Sequence, residues 1–216
     1  MSGKLVITRS FSEASMTLFL SRRIFNLGLL TSVSLLTAQT ANADSGAEAY
    51  VRKLGVDVIN LANGGKRGDR ALQHRFAALF TRYINIPNVA NFALGLSQKD
   101  LPAGDKSMFY DLVANYAAAL FVWYVDDFKG QELKVTNSDE QGKFITVDSG
   151  IVGGGLGSEK LRWRVVKQGD GYRVSDLNVK GVWLTIAMKK LFADTLKSSN
   201  GDFKSLYSKL REAESW

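Results

Sequence analysis

The stretch Leu161-Arg-Trp-Arg-Val-Val-Lys-Gln-Gly-Asp-Gly-Tyr-Arg-Val-Ser-Asp-Leu177 decides the fold class of this chain. Leu161, Trp163 and Val165 alternate with polar residues, a period of two that is typical of a β-strand with one buried and one solvated face. Gly169-Asp-Gly171 has the composition of a hairpin turn, and the alternation resumes after it. The segment therefore predicts two antiparallel strands joined by a tight turn.

Two more strands are predicted before this hairpin. Leu133 and Val135 indicate a first strand, and the apolar residues between Phe144 and Val147 indicate a second. Four strands would then follow one another without helical crossovers, which favours an antiparallel meander. Because helical patterns precede and follow the strands, we expect an α+β fold with a four-stranded antiparallel sheet.

Helices are predicted on both sides of the sheet from apolar residues at helical spacing. Asp69 is expected to cap the second helix, and Asp202 the last one. A single long helix is predicted from Phe109 to Phe128. After Gly181 the pattern predicts a helix that already includes Val182 and Trp183, so the chain should end in a pair of helices.

The N-terminal region has the three parts of an export leader. Ser21-Arg-Arg-Ile-Phe25 follows a basic segment and resembles a twin-arginine signal, and a mild apolar run over residues 24–38 is too short to anchor permanently. Ala41-Asn-Ala43 offers the small residues of a cleavage site. The general secretory route, a start at Met16 and an amphipathic membrane tether are the alternatives. We expect cleavage before Asp44.

This cleavage would define the compartment and the mature domain. Residues 1–43 would be removed, and residues 44–216 would form a single domain in the periplasm. Loss of four basic and one acidic residue would reduce the net charge from +7 to +4, which is mild for a nucleic-acid-binding protein. The chain has no cysteine, so disulfides and thiolate metal sites are excluded.

Candidate catalytic residues are few. The single histidine, His74, is expected on a solvated helix surface, and Asp126-Asp127 at an exposed helix end. The glycines in residues 153–157 do not match a nucleotide-binding loop. Asp148 and Asp176 lie on predicted strands, where one of them could act as a buried general base in a small cavity enzyme. That enzyme is the alternative to a binding protein.

The high aromatic content allows two interpretations, a filled core or an apolar cavity. The chain has 12 Phe, 7 Tyr and 4 Trp, most of them on faces that converge on the sheet. Composition alone favours a filled core, as in an interaction module, whereas an apolar cavity would require a hydrophobic ligand.

Two sequence blocks resemble a known family. The segment from Phe76 to Gly95 contains Ile86-Pro-Asn-Val-Ala-Asn-Phe-Ala-Leu-Gly95, and the second block runs from Leu161-Arg-Trp-Arg through Tyr172 and Asp176 to Gly181-Val182. Both resemble the toluene-tolerance or MlaC family of periplasmic phospholipid-binding proteins. Leu96-Ser-Gln-Lys-Asp100 departs from the aromatic-rich segment that many members have there, at a position that bears on the pocket mouth or partner docking.

The resemblance implies a monomeric, non-enzymatic lipid carrier. An NTF2-like curved sheet and the helices would enclose an apolar cavity for the acyl chains, leaving the headgroup at the surface. Its partners would be an inner-membrane ABC transporter complex and an outer-membrane lipoprotein or porin, with transient membrane contact, no nucleic acid and no cofactor beyond the bound phospholipid. Such a system maintains outer-membrane lipid asymmetry. A hopanoid or other polycyclic lipid is the variant ligand.

Residue type places twelve side chains around this cavity. They are Phe80, Tyr83, Val89, Phe92, Phe121, Tyr124, Val147, Trp163, Val165, Val174, Val182 and Trp183. Four basic residues near the second helix form a candidate face for headgroups or acidic partners, with a solvated surface as the alternative: Lys66, Arg67, Arg70 and Arg75.

Overall fold

The computed structural model describes residues 43–153 and 159–216. Within these ranges the chain forms seven α-helices: α1 (Ser45–Asn63), α2 (Arg70–Tyr83), α3 (Ile86–Leu94), α4 (Lys106–Trp123), α5 (Val125–Phe128), α6 (Leu184–Ser198) and α7 (Phe203–Arg211). The strands are β1 (Glu132–Gln141), β2 (Phe144–Val152), β3 (Glu159–Gln168), β4 (Gly171–Val179) and β5 (Val182–Trp183). Short 3-10 turns lie at Gly95–Asp100, Ala103–Asp105 and Glu212–Ser215.

The strands form one curved antiparallel sheet in the order β1-β2-β3-β4-β5. The α+β prediction is confirmed. Two irregularities interrupt the register: Thr136 is the extra residue in β1, and Ser175 is the extra residue in β4, opposite Arg164 and Val165. Because a bulge bends its strand and increases its twist, these positions help the sheet to curve around the helices.

The predicted count of four strands is wrong, because the sheet described here has five. Lys180 and Gly181 both have positive φ angles, of 52° and 85°, as a two-residue hairpin turn requires. The chain therefore reverses, and Val182 pairs with Val179 and Trp183 with Asn178. Val182 and Trp183 consequently form β5 instead of starting the helix, and α6 begins at Leu184.

The predicted long helix is also interrupted. It ends at Trp123, Tyr124 adopts φ −103° and ψ 14°, and a single turn follows at Val125–Phe128. Gly130, with a φ of 68°, then turns the chain into β1, and its backbone N–H donates to the Asn63 side chain at 2.9 Å. This bond joins the end of α1 to the start of the sheet.

The two predicted caps are confirmed. The Asp69 carboxylate accepts a hydrogen bond from the Leu72 backbone N–H at 3.0 Å, and Asp202 accepts from two backbone N–H groups of α7. Asn85 caps α3, whose first turn contains Pro87, a residue that tolerates this position because it has no N–H to satisfy there.

The apolar core consists of two clusters, and α4 contributes to both. Cluster 1 lies between the sheet, α1, α2 and one side of α4. Its buried members include Val51, Leu54, Phe76, Phe80, Tyr83, Ala118, Val122, Ile145, Val147, Trp163, Val165 and Val174. Cluster 2 lies among helices. Its buried members include Ile86, Leu94, Phe109, Leu112, Val113, Tyr116, Phe192, Leu196, Leu206 and Leu210. In the described part of the chain, no helix combines the length and apolar character needed to cross a membrane.

Candidate functional site

Cluster 1 contains seven of the twelve side chains that the sequence predicts around a cavity. These seven are Phe80, Tyr83, Phe121, Val147, Trp163, Val165 and Val174. The alternation along β2, β3 and β4 directs the sheet residues to one face, and helical spacing directs the aromatic residues of α2 and α4 towards that face. The structure thus brings residues separated by almost 100 positions into one apolar region.

Phe121 lies at the centre of the aromatic part of this region. Its ring centroid is 4.4 Å from that of Phe76 and 4.4 Å from that of Phe128, and the latter pair is stacked with an interplanar angle of 20°. Phe80 meets it edge-on at 6.0 Å. Phe76 and Phe128 were not among the predicted site residues. The spacing of four between Phe76 and Phe80 was the available signal, because it places both rings on one face of α2.

Tyrosine hydroxyl groups form a polar margin beside the aromatic region. The Tyr83 hydroxyl donates to the Asp57 carboxylate at 2.6 Å, and the Tyr50 hydroxyl donates to the Tyr83 backbone carbonyl at 3.0 Å. The bond from Tyr83 holds the pKa of Asp57 below its usual value, despite partial burial. Burial, together with this carboxylate, raises the pKa of Tyr83. The pair joins α1 to α2 at the edge of the apolar region.

The other five predicted side chains lie outside cluster 1. Val89 is half-buried on α3, while Phe92 on the same helix is 49% exposed, and Tyr124 at the helix break is also exposed. Val182 and Trp183 form β5 and are half-buried. The Arg164 guanidinium lies 3.8 Å from the centroid of the Trp183 ring. All twelve side chains remain predictions for the ligand-binding surface.

The two acids proposed for an enzyme have structural partners. Asp176 is 6% exposed, and its carboxylate accepts hydrogen bonds from the backbone N–H groups of Leu177 and Thr185 and from the Thr185 hydroxyl, at 2.6–3.1 Å. Arg164 completes this arrangement at 3.5 Å. Asp148 is on the same face of the sheet, since it opposes Arg162 as Asp176 opposes Arg164, and it pairs with Arg162 at 2.7 Å, where both side chains are partly exposed. These contacts give each carboxylate a role in the sheet or at the start of α6.

A surface groove of about 620 Å³ lies between α1 and β1. Its lining combines apolar side chains with polar and charged ones: Arg52, Gly55, Val56, Ile59, Asn60, Asn63, Gln131, Glu132, Leu133, Lys134 and Val135. Leu133 and Val135 also pack against cluster 1, so the groove adjoins the apolar region. Gln131 is buried, and its Oε1 has no hydrogen-bond partner among the described residues. Sequence reasoning missed this groove because its two sides are about 80 residues apart.

The remaining candidates lie on the surface. His74 is exposed on α2, and the basic residues Lys66, Arg67, Arg70 and Arg75 are exposed as well. The Arg67 guanidinium lies 4.7 Å from the centroid of the Trp123 ring, which favours a packing role for that residue. Gly153 follows β2 with a φ of 89°, and residues 154–157 of the glycine cluster lie outside the described residues. The described residues include no group of three or more His, Cys, Asp or Glu side chains that could hold a metal ion.

The fold is similar to that of a known lipid-binding protein. The solved structure of the phospholipid-binding protein from Ralstonia solanacearum, in complex with a phospholipid, aligns with a TM-score of 0.68. The alignment covers 79% of this chain and 97% of that protein at 19% sequence identity. At this identity, the similarity establishes a shared fold only. No curated protein sequence matches this chain significantly.

The family follows from the sequence itself. The pattern that defines the MlaC protein family matches residues 56–212, which is most of the chain. The chain belongs to the MlaC family, and the family prediction made from its two sequence blocks is confirmed.

Proposed function

We propose that this protein is a periplasmic phospholipid carrier, the substrate-binding component of an ABC-type lipid transport system. The observation that carries the proposal is cluster 1, where the apolar face of a curved sheet meets aromatic side chains of α2 and α4 in a chain of the MlaC family. The Ralstonia solanacearum protein of similar fold was solved with a phospholipid. Family membership favours a carrier over an enzyme. The hydrogen bonds that the Asp176 carboxylate accepts agree with a structural role for this residue and not a catalytic one.

The physical requirement for such a carrier is an apolar surface shielded from water. Each methylene removed from water contributes about 0.8 kcal/mol, so two acyl chains need on the order of 20 kcal/mol of shielding. Only an interior region such as cluster 1 offers this. Because a bilayer shields the same chains equally well, transfer between membrane and carrier is close to neutral. The carrier therefore needs no nucleotide, and an inner-membrane ABC transporter would supply direction.

The compartment and the remaining partners are part of the same proposal. Residues 1–43 would direct export and be removed, leaving a monomer that meets an outer-membrane lipoprotein or porin as its second partner. Maintenance of outer-membrane lipid asymmetry, and the tolerance of organic solvents that depends on it, would be the cellular result. The exposed residues Lys66, Arg67, Arg70 and Arg75 remain a candidate face for acidic partners.

Native mass spectrometry of the exported protein purified from cells tests this function directly. We expect co-purified lipid with phospholipid masses, whereas polycyclic masses would change the ligand to a hopanoid-like lipid. Repeated recovery of lipid-free protein would overturn the proposal.

A substitution on the inner face of the sheet can distinguish a residue that contacts lipid from one that only fills the core. Val147 is fully buried at the centre of β2. If it faces lipid, Val147→Phe should lower lipid occupancy and leave the lipid-free protein folded. If it is filler, overpacking should cost about 1–3 kcal/mol of stability without a specific loss of lipid. Val56→Phe is the matched control, because Val56 is 53% exposed on α1.

A further inference from the structure

Exposed apolar side chains are concentrated where α3 meets α6. Phe92 on α3 is 49% exposed and Leu96, in the following 3-10 turn, is 92% exposed. Leu184 and Ile186 in the first turn of α6 are 37% and 49% exposed. Phe92, Leu96 and Ile186 are called the α3–α6 patch. Leu184 is not part of it, because residues two positions apart on a helix point to nearly opposite sides. Clustered apolar exposure of this kind marks a contact surface.

Lys189 holds the two parts of the α3–α6 patch together. α3 packs against α6, and the Lys189 ammonium lies 5.4 Å from the centroid of the Phe92 ring. The Lys189 Cε lies 3.2 Å from the point where a Cβ on Gly95 would be, so its methylene chain passes beside the turn that carries Leu96. Ile186 precedes Lys189 by one helical turn on α6. An aliphatic stem along an apolar surface with the charge at its rim is the conformation of lysine at a membrane interface.

The backbone directs Leu96 away from the protein. Gly95 ends α3 with a φ of 58°, a conformation that favours glycine, and the chain enters the 3-10 turn of Gly95–Asp100. This reversal leaves Leu96 almost fully exposed at the tip. A protruding leucine can insert among lipid headgroups without a preformed complementary pocket. The tip also lies in Leu96–Asp100, the segment that departs from the family's pattern.

The charges around the patch are in slight positive excess. Lys99, Lys189 and Lys190 lie at its rim, and Asp100 and Asp194 are the nearby acids, with Lys190 paired to Asp194 at 2.6 Å. Residues 44–216, which would form the exported carrier, are also basic, with a net charge of +4. Both the local and the overall sign complement an anionic lipid surface.

We propose that the α3–α6 patch is the surface by which this carrier contacts an anionic phospholipid bilayer. The inference rests on the proposed function and deepens it, because the patch would hold the carrier at the bilayer surface while it exchanges phospholipid with its membrane partners. Phe92, Leu96 and Ile186 enter the headgroup region, and the lysines remain at the level of the phosphates.

Flotation with vesicles of phosphatidylglycerol and phosphatidylcholine tests the contact. Leu96→Ser and Ile186→Ser should each weaken vesicle binding about tenfold, since loss of roughly two buried methylenes corresponds to a factor of that order. Lys189→Gln should weaken binding about fivefold on these vesicles and much less on pure phosphatidylcholine. Val56→Ser, an exposed position on α1, is the matched control and should bind as the unmodified protein does.

Two readouts separate this inference from the proposed function. Native mass spectrometry reports retained lipid, which the patch substitutions should leave unchanged, and transfer of a fluorescent phospholipid between vesicles should fall in proportion to binding. Absence of lipid from the unmodified protein would refute the carrier function and not the membrane contact. Unchanged vesicle binding by Leu96→Ser and Ile186→Ser would overturn the membrane contact. If the same variants nevertheless failed to support lipid transport in cells, the patch would be assigned to contact with a partner protein.

Discussion

The buried carboxylate of Asp176 is predicted to be a structural anchor whose removal destabilises the sheet and α6 together. It accepts hydrogen bonds from three donors on Leu177 and Thr185, at 2.9 Å, 3.1 Å and 2.6 Å, and Arg164 lies 3.5 Å away. One of these donors is a backbone N–H in the first turn of α6, a group that has no partner within its own helix. A single side chain of β4 therefore fixes where α6 starts.

The geometry gives the size of the effect. Asp176→Ala leaves the three donors without their acceptor at a buried site, since Asp176 is only 6% exposed. Removal of one partner from a buried charged network typically costs about 3–5 kcal/mol. For a domain of this size, each kcal/mol lowers the melting temperature by about 2–4 °C, so the variant should melt roughly 10 °C lower. Thr185→Val removes only the hydroxyl donor and should cost about 1 kcal/mol.

Urea unfolding of the exported protein measures these differences. Asp148→Ala is the matched control, because Asp148 is also a carboxylate on a strand and pairs with Arg162, but both side chains are exposed to solvent. An exposed pair contributes at most about 1 kcal/mol. The reasoning is refuted if Asp176→Ala unfolds at the same urea concentration as Asp148→Ala. If Asp176→Ala were as stable as the unmodified protein and had lost an enzymatic activity, the result would instead support the hypothesis of a cavity enzyme.

Two further predictions concern α1. Burial opposes ionisation of Asp44, but its hydrogen bonds, including one from Tyr172, hold its pKa below the usual value. The contribution of Asp44 to stability should therefore be complete above about pH 4 and disappear as the pH falls through the lowered pKa. In urea unfolding, the stability of Asp44→Asn should converge with that of the unmodified protein at low pH, and a pH-independent difference would contradict this. Gly55→Ala should lower the free energy of unfolding by about 1–3 kcal/mol, because its Cβ would lie 2.5 Å from the Leu133 side chain. Gly64→Ala is the control: a Cβ there has no atom within 4 Å, so the change should stay within about 0.5 kcal/mol in thermal unfolding. Equal effects of the two alanines would contradict the close approach of α1 to β1.

Local patterns in the sequence were sufficient for most of the fold. Alternation identified β3 and β4, and the aspartates at positions 69 and 202 marked helix starts, because these signals arise from residues within a few positions of one another. β5 was missed because it has two residues, too few for any period. The turn before it also needs a positive φ at Lys180, a conformation that the identity of lysine does not suggest.

The candidate site was predictable only in part. Residue type and periodicity identified Phe80 and Val165, which face the same apolar region, but could not distinguish them from Phe92, whose ring is half-exposed. The difference depends on how α3 is oriented against α6, which is a property of tertiary packing. The groove between Arg52 and Lys134 had no sequence signal at all, since α1 and β1 are far apart in the sequence and meet only in the tertiary structure.

The division of the core into two clusters suits a protein that exchanges a large apolar ligand. Phe109 and Phe192 of cluster 2 are fully buried and in ring contact at 5.7 Å, away from the sheet. Cluster 1 contains the sheet face and the rings around Phe121, where each ring pair adds about 0.5–1.5 kcal/mol beyond its buried area. An acyl chain that gains about 0.8 kcal/mol for each methylene can offset the separation of several such pairs. If lipid enters cluster 1 as proposed, cluster 2 would hold the helices in place while side chains of cluster 1 rearrange, because α4 belongs to both clusters.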